Sequence, residues 1–195
     1  MAALDEATLD QLFLRARTHN TWLDRAVTDE DVRRIYELCR WPPTTANTNP
    51  ARFVFIRSKA GKERLRPHLA AGNVDKTMNA PCTVIVAWDA HFYDKLPQLF
   101  PARDLRAGYV GKDAHVTETA FRNSSLQAAY MMLAARTLGF DCGPMSGFDK
   151  AGVDQAFLAD QRWKSNLLCN IGYGIEQDLF PRNPRLAFDE ACLDL

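Results

Sequence analysis

The segment from residue 117 to residue 138 constrains the fold most, because it is the longest helical pattern in the 195-residue chain. Its middle, residues 126–135, is almost entirely apolar, and Gly139 stands where a left-handed residue commonly ends a helix. A helix without a wide polar face is buried on most of its sides. The sequence therefore predicts that this helix is the central column of the fold or part of a large subunit interface.

Shorter helices and strands are predicted on both sides of that column. A helix from Thr28, capped by its hydroxyl and by Asp31, is predicted to end before Pro42, since proline disrupts helical hydrogen bonding. Because the strands are separated by helices without regular βαβ alternation, we expect an α+β fold with helices around a small mixed or antiparallel sheet. The remaining predicted helices cover residues 9–16, 59–71, 91–100 and 149–158, and the strands cover residues 52–57, 83–88 and 167–173.

Composition excludes several classes of function. Lys and Arg number 24, as do Asp and Glu, so a broad electrostatic attraction to nucleic acid is not expected. No apolar run approaches the ~20 residues that span a bilayer, and the N-terminus lacks a signal-peptide pattern. The cysteines and histidines are scattered, which predicts free thiols and no metal site. The composition favours one domain over residues 1–195, located in the cytoplasm.

Two polar segments far apart in the chain have the residue types of a small-molecule cleft. Residues 45–49 place hydroxyl and amide side chains directly before Pro50 and an apolar strand, so their donors and acceptors are held at a strand edge. Residues 143–148 combine a proline of fixed φ with Gly147, which lets backbone N–H groups approach a planar ligand closely. Each segment taken alone is also typical of an ordinary turn or loop.

Short segments spread over nearly the whole chain resemble the FMN-dependent nitroreductase family, and most closely its branch of malonic semialdehyde reductases. The resemblance implies the α+β fold of that family and an intertwined homodimer with FMN sites at the subunit interface, each built from both chains. It also implies NADH or NADPH as the electron donor. The segments that carry it are residues 16–20, 45–47, 50–52, 61–67, 119–125, 143–149, 164–168, 170–174 and 184–186.

On the phosphate side of the cofactor, the resemblance implies a set of basic and polar contacts. The family usually has basic residues two positions either side of a hydroxyl residue, whereas this chain has Ala16 and Asn20 at those positions. Arg17 is the expected phosphate ligand, and Arg15 remains an alternative. Guanidinium forks match phosphate oxygens well. The implied contacts are Arg17, Thr18, Asn20, Arg182 and Arg185.

On the ring side, the resemblance implies carboxamide and backbone contacts. A carboxamide donates and accepts at once, which suits Asn47 and Asn49 to the ribityl chain and the pyrimidine edge. The backbone N–H of Ser146 is expected to point at N5 of the isoalloxazine, and that of Gly147 to lie near O4. No catalytic side chain is assigned, and Arg122 is a candidate for binding a substrate carboxylate. The implied contacts are Asn47, Asn49, Gln127, Pro144, Met145, Ser146 and Gly147.

Together these features predict a reductase that passes hydride from NADH or NADPH through FMN to a small acceptor, for which the resemblance suggests malonic semialdehyde. The alternatives are a broad nitro or quinone reductase, a flavin-binding protein without turnover, and an interaction protein that has lost FMN. The predicted partners are small molecules and a second copy of the chain. The stretch of residues 90–115 is expected to form a mobile lid over the flavin, because loops of that length usually have function.

Overall fold

Helices and a four-stranded sheet make up the fold, and the computed structural model describes residues 2–195. The prediction of an α+β architecture is confirmed. The helices are α1 (Glu6–Leu9), α2 (Asp29–Cys39), α3 (Lys59–Leu65), α4 (Val74–Met78), α5 (Leu96–Leu99), α6 (Asp113–Thr137), α7 (Lys150–Phe157) and α8 (Phe188–Ala191). The strands are β1 (Ala51–Ile56), β2 (Cys82–Asp89), β3 (Asp141–Met145) and β4 (Trp163–Gly172).

The sheet is antiparallel throughout and has the strand order β1-β2-β4-β3. The edge strands are therefore β1 and β3, while β2 and β4 form the buried centre. A register shift between Val86 and Ala87 leaves Asn166 of β4 without a paired residue. Its side-chain amide instead donates to the hydroxyls of Ser124 and Ser125 on α6, at 2.9 and 3.0 Å. Polar contacts thus join the sheet to the helix that covers it.

The predicted column is α6, which packs along one face of the sheet. Its Ala128, Met131 and Ala135 lie in the main hydrophobic cluster, with Val84 of β2 and Ile171 of β4. The turn after the helix has the left-handed conformation that the sequence predicted, with φ of 81° at residue 139. The central-column prediction is therefore confirmed.

Away from the sheet, α6 carries large apolar side chains that residues 2–195 leave partly exposed. Phe121, Leu126 and Tyr130 are 45%, 46% and 41% exposed. The expectation that this helix is buried on most sides is therefore wrong for the chain taken by itself. Water is a poor environment for several large apolar side chains on one helix, and such groups are typical of interaction surfaces.

Some element boundaries differ from the predictions for local reasons. The edge strand β3 was not predicted, because its Pro144 resembles a loop residue, yet an edge strand tolerates a missing N–H. The polar residues Lys164, Ser165 and Asn166 concealed the first part of β4, which begins at Trp163. The capping of α2 by Thr28 is as predicted.

Candidate active site

At the β3 edge of the sheet, the two chain ends enclose a cavity of about 280 Å³, here called the arginine cavity. It brings together the residues predicted to contact the cofactor phosphate and adds Arg136 from the last turn of α6. None of the described residues that line it is Asp or Glu, so the cavity suits an anion. The lining residues are Ala16, Arg17, Thr18, Asn20, Arg136, Phe180, Pro181, Arg182, Asn183 and Arg185.

The N-terminal segment and the C-terminal arm, residues 179–195, hold each other through these arginines. The Arg17 guanidinium donates to the Phe180 carbonyl. The Arg182 guanidinium donates to the carbonyls of Leu14 and Ala16, at 2.6 and 3.1 Å. Each guanidinium has five N–H donors, so these bonds leave others free to meet a ligand.

Arg15 lies outside the arginine cavity. It lines a neighbouring cavity, where its guanidinium is 3.7 Å from the Glu176 carboxylate. A guanidinium next to a carboxylate is less available to a phosphate than one whose partners are neutral carbonyls. Of the two arginines left open by the sequence, the geometry thus favours Arg17, and its contact with a phosphate stays a prediction.

Close packing of the N-terminal segment against β3 depends on a glycine. Thr18 pairs in parallel with Cys142 of β3, and the next strand residue is Gly143. A Cβ at Gly143 would lie 2.6 Å from the His19 carbonyl oxygen and 3.3 Å from the Trp22 ring. A larger residue at this position would push the backbone around Arg17 and Thr18 away from the sheet.

The predicted ring-contacting segment, residues 144–147, continues from β3 on the same edge. Its first two residues end the strand, and its last two are exposed. The Gly147 carbonyl accepts hydrogen bonds from the Ala70 N–H at 3.0 Å and from Asn73 Nδ2 at 2.8 Å. Asn73, which the sequence analysis did not single out, therefore fixes the position of this segment.

A buried polar network connects Lys62 of α3 to the same segment. The Lys62 ammonium donates to the Thr77 carbonyl at 2.8 Å and to the Thr83 hydroxyl. The Thr83 hydroxyl donates to Asn170 Oδ1 at 2.6 Å, and the Thr77 hydroxyl lies 3.5 Å from the Met145 sulfur. Because the ammonium is buried among neutral partners, the pKa of Lys62 is lowered to about 8. The core behind β3 therefore contains a group that titrates in the mildly alkaline range.

Beside β1, at the opposite edge, a cavity of about 360 Å³ brings together Asn47, Asn49 and Gln127, and we call it the amide cavity. Asn47 Nδ2 donates to the Leu99 carbonyl at 2.8 Å. Asn49 Nδ2 donates to Asn47 Oδ1 at 2.7 Å. These amides are thus oriented by local bonds, and they line a cavity large enough for part of a ligand.

Two side chains one turn apart on α6 hold the loop that carries these amides. Asn123 Oδ1 accepts from the Thr45 N–H at 2.9 Å, and Gln127 Oε1 accepts from the Ala51 N–H at 2.9 Å. Gln127 lines the amide cavity, but its carbonyl oxygen is already bound to the backbone, and its contact with a cofactor stays a prediction. Asn123 was not singled out by the sequence analysis, since an asparagine within a helix has no distinctive local signal.

The loop between these two contacts has a strained backbone. Ala46, Asn47 and Asn49 have φ values of 47°, 53° and 42°, in the left-handed region that non-glycine residues rarely adopt. Each such residue costs about 1 kcal/mol or more, and it persists because surrounding contacts fix it. Strain of this kind concentrates at binding and catalytic sites.

Arg122 lies outside both cavities. It is exposed on α6, and its guanidinium contacts the Glu118 carboxylate one turn earlier. The cations that line the amide cavity are instead Arg40, Arg52 and Lys95. Because Arg52 is paired with the carboxylate of Asp89 at 2.8 Å, Arg40 and Lys95 are the better placed to meet an anionic ligand.

The 90–115 stretch forms one wall of the amide cavity, through Lys95, Gln98 and Leu99. Its own aromatic residues are packed, since Phe92 and Tyr109 are buried in a cluster with the N-terminal half of α6. Two guanidiniums anchor Asp94, and although burial acts to raise its pKa, the hydrogen bonds from Arg106 and Arg162 lower it overall. The stretch is thus attached at its base, and its mobility stays a prediction.

The cysteines are free, and four of the five are buried. Burial raises the pKa of Cys39 and that of Cys82 to about 12, so both thiols stay protonated at neutral pH and act as core residues. Within residues 2–195, no group of three or more His, Cys, Asp or Glu side chains is arranged to hold a metal ion. No helix in that range is both long and apolar enough to cross a membrane.

The two cavities lie at opposite edges of the sheet. Three inter-strand spacings, about 14 Å, separate β1 from β3. The main hydrophobic cluster between α6 and the sheet lies between them, and the cavities share no lining residue. One chain therefore presents two separate halves of the predicted cofactor site rather than one continuous cleft.

The fold and this pair of cavities define an α+β protein with helices around a small antiparallel sheet and candidate ligand sites at both sheet edges. The profile of the Nitroreductase family matches residues 15–173, and the chain belongs to that family. A protein from Rhodopseudomonas palustris (strain TIE-1), named "Putative NADH dehydrogenase/NAD(P)H nitroreductase", is 60% identical over 191 residues, which cover 98% of this chain and 97% of that protein.

Solved structures show the same fold. A "putative nitroreductase in complex with FMN" from Exiguobacterium sibiricum 255-15 matches with a TM-score of 0.83 and 21% identity, covering 100% of this chain and 99% of that one. The Nitroreductase Family Protein from Streptococcus pneumoniae TIGR4 matches with a TM-score of 0.83 and 22% identity, covering 95% and 98%. The predicted nitroreductase fold is therefore confirmed.

Proposed function

We propose that this chain is an FMN-dependent oxidoreductase that takes hydride from NADH or NADPH and delivers it to a small acceptor. The name of the 60% identical relative and the FMN in the structural neighbour support this assignment. The arginine cavity fits the cofactor's phosphate, because four guanidiniums line it without a carboxylate among the described lining residues. FMN, when bound, supplies the hydride transfer between donor and acceptor.

The protein's own groups then bind and orient. Arg17, Arg182 and Arg185 hold the phosphate, while the 144–147 segment, fixed by Asn73, presents backbone N–H groups along the ring. Asn47 and Asn49 bond the ribityl chain and the pyrimidine edge from the amide cavity. Amides held in place before binding lose little entropy when the ligand arrives, which favours affinity.

The observation that carries the proposal is the separation of these two groups at opposite sheet edges. A single flavin cannot bridge them within one chain, because the hydrophobic core lies between them. A homodimer in which the β3 edge of one chain faces the β1 edge of its partner completes the site twice by symmetry. The exposed apolar face of α6, with Phe121, Leu126 and Tyr130, provides the surface on which such a dimer would pack.

For the acceptor, the cavity favours a small molecule with a carboxylate, of which malonic semialdehyde is an example. Arg40 and Lys95 line the amide cavity without a carboxylate partner within 4 Å in the described part of the chain, so a substrate carboxylate would find two cations there. Comparing turnover on malonic semialdehyde, nitroaromatics and quinones distinguishes the two functions. Preference for malonic semialdehyde supports the carboxylate acceptor, and preference for the other two supports a broad nitro or quinone reductase.

The function is tested by the protein's flavin. Purified protein is expected to be yellow, to release FMN on denaturation, and to lose its colour with NADH or NADPH before regaining it with an acceptor. Bound flavin that NADH and NADPH leave coloured would indicate a binding protein without turnover. Colourless protein that takes up no added FMN would refute the proposal.

A further inference from the structure

One wall of the arginine cavity comes from the long helix rather than from the chain ends. Arg136 stands in the last turn of α6, nine residues after Gln127, and lines the cavity beside Arg17. Its backbone carbonyl accepts from Gln11 Nε2 at 2.7 Å, so the N-terminal segment docks on the helix at this residue. Its guanidinium makes a long contact of 3.4 Å with the Leu12 carbonyl. Most of its donor capacity is therefore free.

Arg136 is also held more firmly than the two arginines of the C-terminal arm. Its helix packs against the sheet through buried residues such as Ala134 and Ala135. Arg182 and Arg185 instead lie on the C-terminal arm, where every residue from 181 to 195 is exposed. A ligand group that meets Arg136 meets a donor on a packed helix, whereas a side chain on an exposed arm loses more conformational freedom when it binds.

The charge pattern of the cavity favours an anion. Four guanidiniums around about 280 Å³ repel each other when the cavity holds water, and a phosphate dianion would reverse that repulsion. Residue 20, which also lines the cavity, is an uncharged asparagine. Arg136 supplies a positive charge from the helix, beside that of Arg17 from the N-terminal segment.

We infer that Arg136 is a phosphate-binding residue of the FMN site. The inference rests on the proposed function. It assigns the arginine cavity to the phosphate group of the ligand and not to the ring. A cation in the last turn of a helix also stabilises the helix dipole, so the test must separate binding from stability.

The test compares FMN with riboflavin, which has the same ring and no phosphate. In Arg136→Ala, the Kd for FMN is expected to rise roughly 10- to 100-fold, the range for a lost charge-assisted hydrogen bond, while the Kd for riboflavin stays unchanged. Arg136→Lys should recover part of the difference, since a lysine keeps the charge without the fork. Arg34→Ala removes a helical arginine on α2 that lines neither cavity, and it should change neither constant.

The outcomes are distinct. Equal weakening of FMN and riboflavin in Arg136→Ala would mean that Arg136 acts through stability, and the inference would be wrong. An FMN-to-riboflavin preference equal to that of the wild type would refute it as well. Failure of the wild-type protein to bind FMN would instead refute the proposed function. Both ligands are measured on the same sample of each variant, so the ratio of the two Kd values stays valid even if part of the sample is unfolded.

Discussion

Single residues in this protein position the site as much through their smallness as through their chemistry. Gly143 allows the His19 carbonyl to approach β3, and Gly147 allows Asn73 to reach the end of the ring-contacting segment. The sequence indicated the polar residues of the site, because hydroxyls, amides and arginines cluster in recognisable segments. It did not indicate Asn73, Asn123 or Arg136, since each acts through tertiary contacts that leave no local pattern.

The role of Gly143 can be measured by adding one methyl group. In Gly143→Ala the new Cβ would lie 2.6 Å from the His19 carbonyl oxygen, so the free energy of unfolding should fall by about 1–3 kcal/mol. The affinity for FMN should fall as well, because the backbone around Arg17 shifts. Urea unfolding and FMN titration measure the two effects. Gly108→Ala, where nothing lies within 4 Å of the added Cβ, is the matched control, and an equal loss in both variants would contradict the account.

The lowered pKa of Lys62 predicts that the free energy of unfolding rises with pH in the alkaline range. Its folded-state pKa of about 8 lies below the ordinary 10.5, so the folded protein binds fewer protons than the unfolded protein between these values. The cost of burying the charge is present in full below pH 8 and is relieved as the pH rises toward 10.5, by roughly 3 kcal/mol. Subtracting the unfolding free energies of Lys62→Met from those of the wild type, pH by pH, isolates this rise. A flat difference would rule it out.

Among the elements, α6 organises both halves of the site. Asn123 and Gln127 hold the strained loop at the β1 edge, and Arg136 reaches the arginine cavity at the β3 edge. Helical periodicity and Gly139 predicted this helix well, because both are local signals. The edge strand β3 and the first half of β4 escaped prediction, because a proline in one and polar residues in the other are tolerated only in their tertiary context.

The hydrogen bonds between α6 and the strained loop lead to a prediction at this scale. Asn123→Ala removes the partly buried hydrogen bond that the Thr45 N–H donates, so stability should fall by about 1 kcal/mol and FMN affinity should fall as the loop relaxes. Thermal unfolding and FMN titration test both parts. Thr117→Ala, at an exposed position of the same helix, should change neither stability nor FMN affinity. An Asn123→Ala protein with wild-type FMN affinity would show that these hydrogen bonds do not shape the binding site.

At the scale of the whole molecule, one chain presents half of the proposed flavin site at each edge of its sheet. The open apolar face of α6 and the exposed Phe180 and Phe188 of the C-terminal arm are surfaces that a second copy would cover. Family resemblance in the sequence implied such a shared site. Composition and periodicity could not imply a shared site. The assembly of two chains, and not the pattern of one, decides which sheet edges face each other.

Mixing two defective chains tests the shared site most directly. One variant combines Arg17→Ala with Arg185→Ala and damages the β3 edge, and the other combines Asn47→Ala with Asn49→Ala and damages the β1 edge. Each alone should bind little FMN. After joint unfolding and refolding, randomly paired chains should recover about a quarter of the wild-type FMN-binding capacity, because half of the dimers contain one undamaged site. A mixture that binds no more FMN than its separate components would contradict the account.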